Sequence, residues 1–305
     1  LMKPTHLRAH LALFIVNTFY GANHVIAKGI MPNILTPNVF ILLRVAGATA
    51  LFWLIRLFSK SREKVERKDL IRIAACGVFG VAVNQLFFFH GLNLSSSINA
   101  GIIMTLNPIM VVILSYFLLK EAITPYRVAG VLLGATGAGL LTLASSSENP
   151  ELAVGDLFLL INAASYAVYL VLVKPLMSKY KPITVITYVF LFGLILVALF
   201  PLTLRDLAQT DFSLLQGVVL AKVLYVIIGV TFLAYLLTVY GLSKLSPSVS
   251  SAYIYTQPVL VIFFAILFAY IGFTEDYTNT ITAQKIFYMI LIFVGVYVTS
   301  LKRKN

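Results

Sequence analysis

Residues 91–108 read GLNLSSSINAGIIMTLNP, and residues 241–258 read GLSKLSPSVSSAYIYTQP. At a constant offset of 150 they share Gly91/Gly241, Leu92/Leu242, Ser96/Ser246 and Pro108/Pro258, and Val111/Val261 follows just beyond. Each stretch runs glycine–leucine, a serine-rich turn, then an apolar helix carrying an amide and a proline. The amide–proline pairs are Asn107-Pro108 and Gln257-Pro258. Earlier in each half, Tyr20-Gly21 and Lys28 match Tyr166-Ala167 and Lys174 at an offset of 146. The chain is therefore read as two repeats, residues 1–144 and 152–305, forming one membrane domain.

Working outward, the composition fixes the solvent. Apolar residues make up 60% of 305 and charged residues 11%, against roughly 45–50% and 25% in soluble domains. Mean hydropathy is +0.96. So few charges cannot cover a water-soluble surface of this size. A bilayer crossing takes about 20 mostly apolar residues. Ten stretches qualify: His10–Met31, Asn38–Phe58, Leu70–Gly91, Ile98–Leu119, Tyr126–Ala144, Val154–Val173, Ile183–Thr203, Val223–Leu242, Val249–Ile271 and Ala283–Leu301. Prolines punctuate most of the short loops between them. The runs are apolar throughout, not alternating as barrel strands are. The expectation is an all-α integral membrane fold of ten transmembrane helices in two five-helix repeats.

Five is odd, so the second repeat must enter the membrane from the side opposite to the first. Inverted-topology repeats of this kind are common in secondary transporters. The basic residues agree. With a cytoplasmic N-terminus, 18 of the 23 Lys and Arg fall inside, while Lys28, Arg205, Lys222 and Lys285 fall outside and Arg44 lies within a span. Cytoplasmic excess of Lys and Arg is the orientation signal. It places both termini in the cytoplasm of a multi-pass inner-membrane protein. It also accounts for the net charge of +12 without a nucleic-acid partner.

In Tyr20-Gly21 to Lys28, Arg44, the two quoted stretches and LLKEAIT at 118–124, the chain resembles the drug/metabolite transporter superfamily, and its EamA-type exporters most closely. The likeness covers essentially the whole chain. It implies ten helices, solute transport and export. Tyr20 and Tyr166 stand where that family commonly has tryptophan. Glu121 ends helix four, whereas its repeat mate is Ile271, with Glu275 four residues on.

The candidate site residues sit in the middle of spans. Pro108 and Pro258 remove a backbone donor and kink their helices, which leaves a carbonyl that lipid cannot satisfy. Asn107 and Gln257 add polar groups at the same depth. Tyr20, Asn23 and His24 share one face of helix one at i, i+3, i+4. Asn162, Tyr166 and Tyr169 do the same on helix six. Asn84, Tyr235 and Tyr253 extend the set on helices three, eight and nine. Two readings of these groups are open: contact with a solute in a central cavity, or plain interhelical hydrogen bonding. Arg44, roughly 10 Å inside helix two at 1.5 Å per residue, is either an anion contact or a scaffold group. All 11 acids fall in loops or at span ends. Proton coupling would then fall to His24, which titrates near neutrality; a neutral hydrogen-bonding histidine is the alternative. Gly130, Gly134 and Ala138 on helix five allow close helix approach, to a partner in the same chain or in a second copy.

No phosphate loop, nucleophile motif or metal-ligand spacing is present, so no enzyme and no cofactor are read. The expected function is secondary transport by alternating access of a small polar or zwitterionic metabolite, amino acids first, in the export direction. Uptake of an organic cation such as choline in an aromatic cage is the alternative. A lipid-acting membrane enzyme is disfavoured for want of a convergent acid, base or metal set. The partners are the small-molecule substrate, the bilayer and a candidate coupling proton, in a monomer or a homodimer. Single cysteines should label from the cytoplasm within Ser59–Asp69 and from outside within Ser145–Gly155. Finding both on one side would overturn the inverted arrangement.

Overall fold

The computed structural model describes residues 4–58, 63–119, 125–148, 150–273 and 281–300. Glu121, Glu275 and the basic residues Lys60, Arg62, Lys302, Arg303 and Lys304 lie outside them. Among the described residues there is no strand. Ten long helical rods follow in order: α1 (Pro4–Lys28), α2 (Pro37–Phe58), α3 (Arg67–Leu94), α4 (Ser97–Leu118), α5 (Pro125–Glu148), α6 (Pro150–Ser178), α7 (Pro182–Leu199), α8 (Gly217–Lys244), α9 (Pro247–Tyr270) and α10 (Ala283–Ser300). A short helix, Pro201–Gln209, lies between α7 and α8. Seven rods, α2, α3, α4, α6, α7, α8 and α9, are long and apolar enough to cross a bilayer. α1 and α5 are long but more weakly apolar. α10 is apolar over Ala283–Gly295. The fold is an all-α membrane architecture; ten crossings remains the expectation drawn from the sequence. Large apolar side chains such as Ile71, Phe117 and Leu132 point outward, as a lipid-facing surface requires.

Five rods are not regular, and α6 ends in a 3-10 stretch at Lys174–Ser178. α3 is π-helical over Val78–Ala82, and α8 over Val226–Leu233. α4 breaks after Met104 and restarts at Asn107. α9 passes through a 3-10 turn at Tyr253–Thr256 before restarting at Gln257. Proline is the cause of the last two. Pro108 has no N–H to give the Met104 carbonyl, and Pro258 has none for Ile254, so each proline is accommodated in the first turn of a new helix. Around the α4 break the chain tightens to i→i+3 bonds, from Thr105 N–H to the Ile102 carbonyl and from Leu106 N–H to the Ile103 carbonyl.

The repeats do not pack as two separate bundles. α1 packs on α8 and α9 of the second repeat, and α6 packs on α3 and α4 of the first; α2 lies on α7 and α5 on α10. Equivalent residues make equivalent contacts. A Cβ at Gly91 would meet Leu159, and one at Gly241 would meet Leu13. Ser96 accepts from Asn99 N–H at the start of α4, and Ser246 accepts from Val249 N–H at the start of α9. Lys28, at the end of α1, donates to the carbonyls of Leu92, Asn93 and Ser95 at 2.7–2.9 Å. Lys174 donates to those of Leu242 and Leu245 at 2.6 and 2.8 Å. Each ammonium thus satisfies the carbonyls that the last turn of a helix leaves without donors.

The small-residue stripe of α5 has its partner in this chain. A Cβ on Gly295 of α10 would sit 2.6 Å from Gly134 N and 2.7 Å from the Gly130 carbonyl oxygen. These are backbone atoms and cannot move aside. The side chain of Ala138 lies outside the described residues. Gly295→Val should destabilise the protein by about 1–3 kcal/mol through overpacking. Gly229→Ala, whose new methyl would meet nothing nearer than 3.5 Å, should be close to neutral. Thermal unfolding of both variants in detergent checks the pair.

Candidate functional site

The broken and π-helical rods, with α1, α2 and α6, enclose a cavity. It is lined by Tyr20, Asn23 and His24 of α1, Arg44 of α2, Asn84, Gln85 and Phe88 of α3, and Met104 and Asn107 of α4. The second repeat adds Asn162 and Tyr166 of α6, Val230 and Tyr235 of α8, and Ile254 and Gln257 of α9. The cavity leaves about 60 Å³ in which the centre of a water molecule can sit. At roughly 10–15 Å³ per water on that measure, it holds roughly four to six waters. A solute with about that many heavy atoms fits the present conformation.

Residues equivalent by the repeat meet across this cavity. The Gln85 amide donates to the Tyr235 hydroxyl at 2.7 Å, and these two positions are 150 apart. That hydroxyl in turn donates to the Gly80 carbonyl at 2.8 Å. Tyr20 and Tyr166, 146 apart, bring their hydroxyls within interaction range of each other. The two amides beside the prolines are anchored alike. Asn107 Nδ2 donates to the Ala163 carbonyl at 2.7 Å, and Gln257 Nε2 donates to Asn17 Oδ1 at 2.8 Å. Ala163 and Asn17 are themselves 146 apart, so each broken helix is tied to the opposite repeat at the same depth.

The unused polar atoms give the cavity its chemistry. Asn107 and Gln257 spend their N–H groups on those anchors, and their Oδ1 and Oε1 are buried without a partner. Asn23 Oδ1 is in the same state. His24 Nδ1 lies 2.8 Å from the Tyr20 carbonyl. A carbonyl only accepts, so Nδ1 carries the proton and Nε2 keeps a lone pair, again without a partner. Four of the residues that line the cavity thus each carry a buried acceptor without a partner. Arg44 supplies the opposite character. It is buried, its Nε donates to Thr231 Oγ1 at 2.8 Å, and its guanidinium lies 4.5 Å from the Phe89 ring centroid. Thr231 passes its own proton to the Val226 carbonyl at 2.7 Å, inside the π-helical stretch of α8. Among the described residues, no Asp or Glu lines the cavity.

Ten of the residues picked out in the sequence fall in this lining: Tyr20, Asn23, His24, Arg44, Asn84, Asn107, Asn162, Tyr166, Tyr235 and Gln257. Four do not. Tyr169 is fully buried, and its ring fills the space that a Cβ on Gly80 would occupy. Tyr253 lies away from the cavity, with its hydroxyl 2.6 Å from His10 Nδ1. Pro108 and Pro258 stand behind the amides they follow. The lining also contains Phe88, Met104, Val230 and Ile254, whose apolar side chains carry no polar signal in the sequence; Met104 and Ile254 are repeat mates.

Comparison with known proteins gives this geometry a lineage. The model of the EamA-like transporter family matches residues 7–143 and again residues 153–301. The chain belongs to the EamA-like transporter family. That family, within the drug/metabolite transporter superfamily, is one of transporters and not of enzymes. An uncharacterized transporter of Archaeoglobus fulgidus is 28% identical over 97% of this chain and all of its own length. The transporter YyaM of Bacillus subtilis, also uncharacterized, is 26% identical over 86% of this chain and 87% of its own. A WAT1-related protein of Arabidopsis thaliana is 23% identical over 89% and 80%. A solved crystal structure shares the fold, with a TM-score of 0.64 at 21% identity over 97% of this chain and 96% of that one. This EamA-like protein is thus a multi-pass membrane transporter.

The anchored amides generate a prediction. Asn107→Ala and Gln257→Ala each remove one free acceptor and one anchoring bond. Each should weaken solute binding by about 1–3 kcal/mol. Pro108→Ala and Pro258→Ala return a backbone donor to the helix, and should change turnover while binding stays near the parental value. Binding and flux measured on all four variants test the division.

Proposed function

We propose that this EamA-like protein is a secondary transporter that moves a small zwitterionic metabolite, amino acids first, by alternating access between its two repeats. One observation carries the reading. The cavity lining combines a buried guanidinium with four residues that each carry a buried, unpartnered acceptor, and no Asp or Glu is among the described lining residues. A carboxylate end suits Arg44. An ammonium end, with N–H groups to give, suits Asn23 Oδ1, His24 Nε2, Asn107 Oδ1 and Gln257 Oε1. A bidentate anion contact is where arginine is strongest. The small cavity argues for a short side chain.

The repeat-equivalent contacts and the twofold match of the family model support inverted repeats. On this reading ten crossings leave both termini on one side of the cell membrane, and the sorting of Lys and Arg favours the cytoplasmic side. Direction rests on the resemblance to exporters. His24 serves here as a neutral acceptor and not as a proton carrier.

The choline-like reading draws on the same aromatic lining of Tyr20, Tyr166, Tyr235 and Phe88, which suits a cation–π cage. A quaternary ammonium has no N–H for the four acceptors and would face Arg44. The zwitterion therefore fits better.

Purified protein in liposomes should exchange labelled alanine or serine and leave choline untouched. Arg44→Gln should lower amino-acid exchange about 10- to 100-fold, the range expected for loss of a charge-assisted bond. His24→Gln keeps an acceptor and should keep its exchange across pH about 5.5–7.5, around the histidine range. Exchange of choline alone would reverse the substrate assignment. A pH profile flattened in His24→Gln would make that residue the coupling group.

A further inference from the structure

Asp156 of α6 lies outside the cavity lining. It stood at a span end in the sequence, but α6 begins at Pro150, so the carboxylate lies more than a turn deeper and is fully buried. Ser95 Oγ donates to its Oδ1, and Asn99 Nδ2 donates to its Oδ2 at 3.1 Å. Ser95 and Asn99 belong to the first repeat, at the joint between α3 and α4; Asp156 belongs to the second. Gly155 and Gly91 bring the two backbones together, since a Cβ at Gly155 would lie 2.7 Å from Ser95 N and 2.9 Å from the Gly91 carbonyl oxygen.

The position equivalent to Asp156 at the repeat offset of 146 is His10. There the same kind of bond recurs with different chemistry. His10 Nδ1 lies 2.6 Å from the Tyr253 hydroxyl of α9. This bond also crosses between repeats, from the first helix of one to the broken fourth helix of the other. The residue types are unrelated, so the shared feature is the position of a polar tie.

The two ties lie at opposite ends of the cavity. Lys28 fixes the end of α1 to the end of α3, and Asp156 meets that same end. His10 sits 18 residues earlier on α1, about 27 Å away at 1.5 Å per residue. Each tie grips its broken helix where the helix can move. Asn99 is on the leading segment Ser97–Met104, ahead of the break in α4. Tyr253 is the first residue of the 3-10 turn that interrupts α9. At the His10 end, Ala9, Leu13 and Leu245 form a small apolar cluster apart from the main core, and Lys174 bonds the Leu245 carbonyl there.

We propose that Asp156 with Ser95 and Asn99, and His10 with Tyr253, are the two gate latches of the transporter. Each closes one end of the cavity, and each releases when that end opens. The latches act within the alternating-access reading, but their test needs no substrate.

A reporter cysteine, Val230→Cys, is placed in the cavity lining in a Cys76→Ala background. Its reaction with a membrane-impermeant maleimide is timed from each face of sealed vesicles. Asp156→Ala should raise the rate about ten-fold from the face bearing the end of α3, and leave the other face at the parental rate. Tyr253→Phe, which removes one hydroxyl, should raise the rate several-fold from the face bearing the start of α1 only. Asp156→Asn keeps an acceptor oxygen and should stay within two-fold of the parent. If Asp156→Ala does not fold, Ser95→Ala combined with Asn99→Ala removes the same bonds from the other side. Unchanged rates, equal rises on both faces, or an Asp156→Asn rate as high as that of Asp156→Ala would overturn the latches. One-sided responses without solute exchange would instead keep the latches and reject the transport cycle.

Discussion

A backbone carbonyl or N–H left without a partner in hydrocarbon costs several kcal/mol, and most of this architecture follows from meeting that demand. Regular helix meets it locally. Wherever the chain departs from regular helix, something from elsewhere in the molecule must supply the missing partner. Lys28 and Lys174 reach across to cap the ends of α3 and α8. The Gly80 carbonyl, inside the π-helical stretch of α3, accepts from Tyr235. The Val226 carbonyl, at the matching stretch of α8, accepts from Thr231, which in turn holds Arg44. The irregularities are thus concentrated around one cavity, where polar side chains are available to satisfy them.

The same constraint explains why the repeats interlock. Asn107 and Gln257 each anchor to the opposite repeat, at positions that are themselves equivalent. Neither repeat can be withdrawn without exposing these groups to lipid. The scaffold pairs α2–α7 and α5–α10 surround this core, and the last is held by backbone contact through Gly295, Gly134 and Gly130. Close glycine packing suits a fixed frame. Breaks, π-helical stretches and single polar ties suit the parts that move against it.

Much of the site was legible because polar residues within an apolar span have one sensible destination. Tyr20, Asn23 and His24 share a helical face, and lipid would not tolerate that face; the cavity is where it points. The same logic failed for Tyr169. Helical spacing places it beside Tyr166, but Gly80 admits its ring into the space between α3 and α6, which spacing along one helix does not reveal. Tyr253 failed for another reason: it belongs to the tightened turn before Gln257, and its partner His10 is 243 residues away. Asp156 was set among the span-end acids because its burial depends on where α6 starts and on Ser95 and Asn99 covering it.

The sequence by itself determined the solvent and the helical content, and it carries matched residues at fixed offsets of 146 and 150. These depend on composition and short-range period, which a single chain carries openly. The tertiary structure decided which polar atoms are spent on anchoring and which are buried without a partner. It also decided that the glycines of α5 meet α10 of the same chain, and that an acid at a helix start is buried against the opposite repeat. Each of these depends on which neighbour lies within about 3 Å, a relation between segments 50 to 240 residues apart that no local pattern encodes.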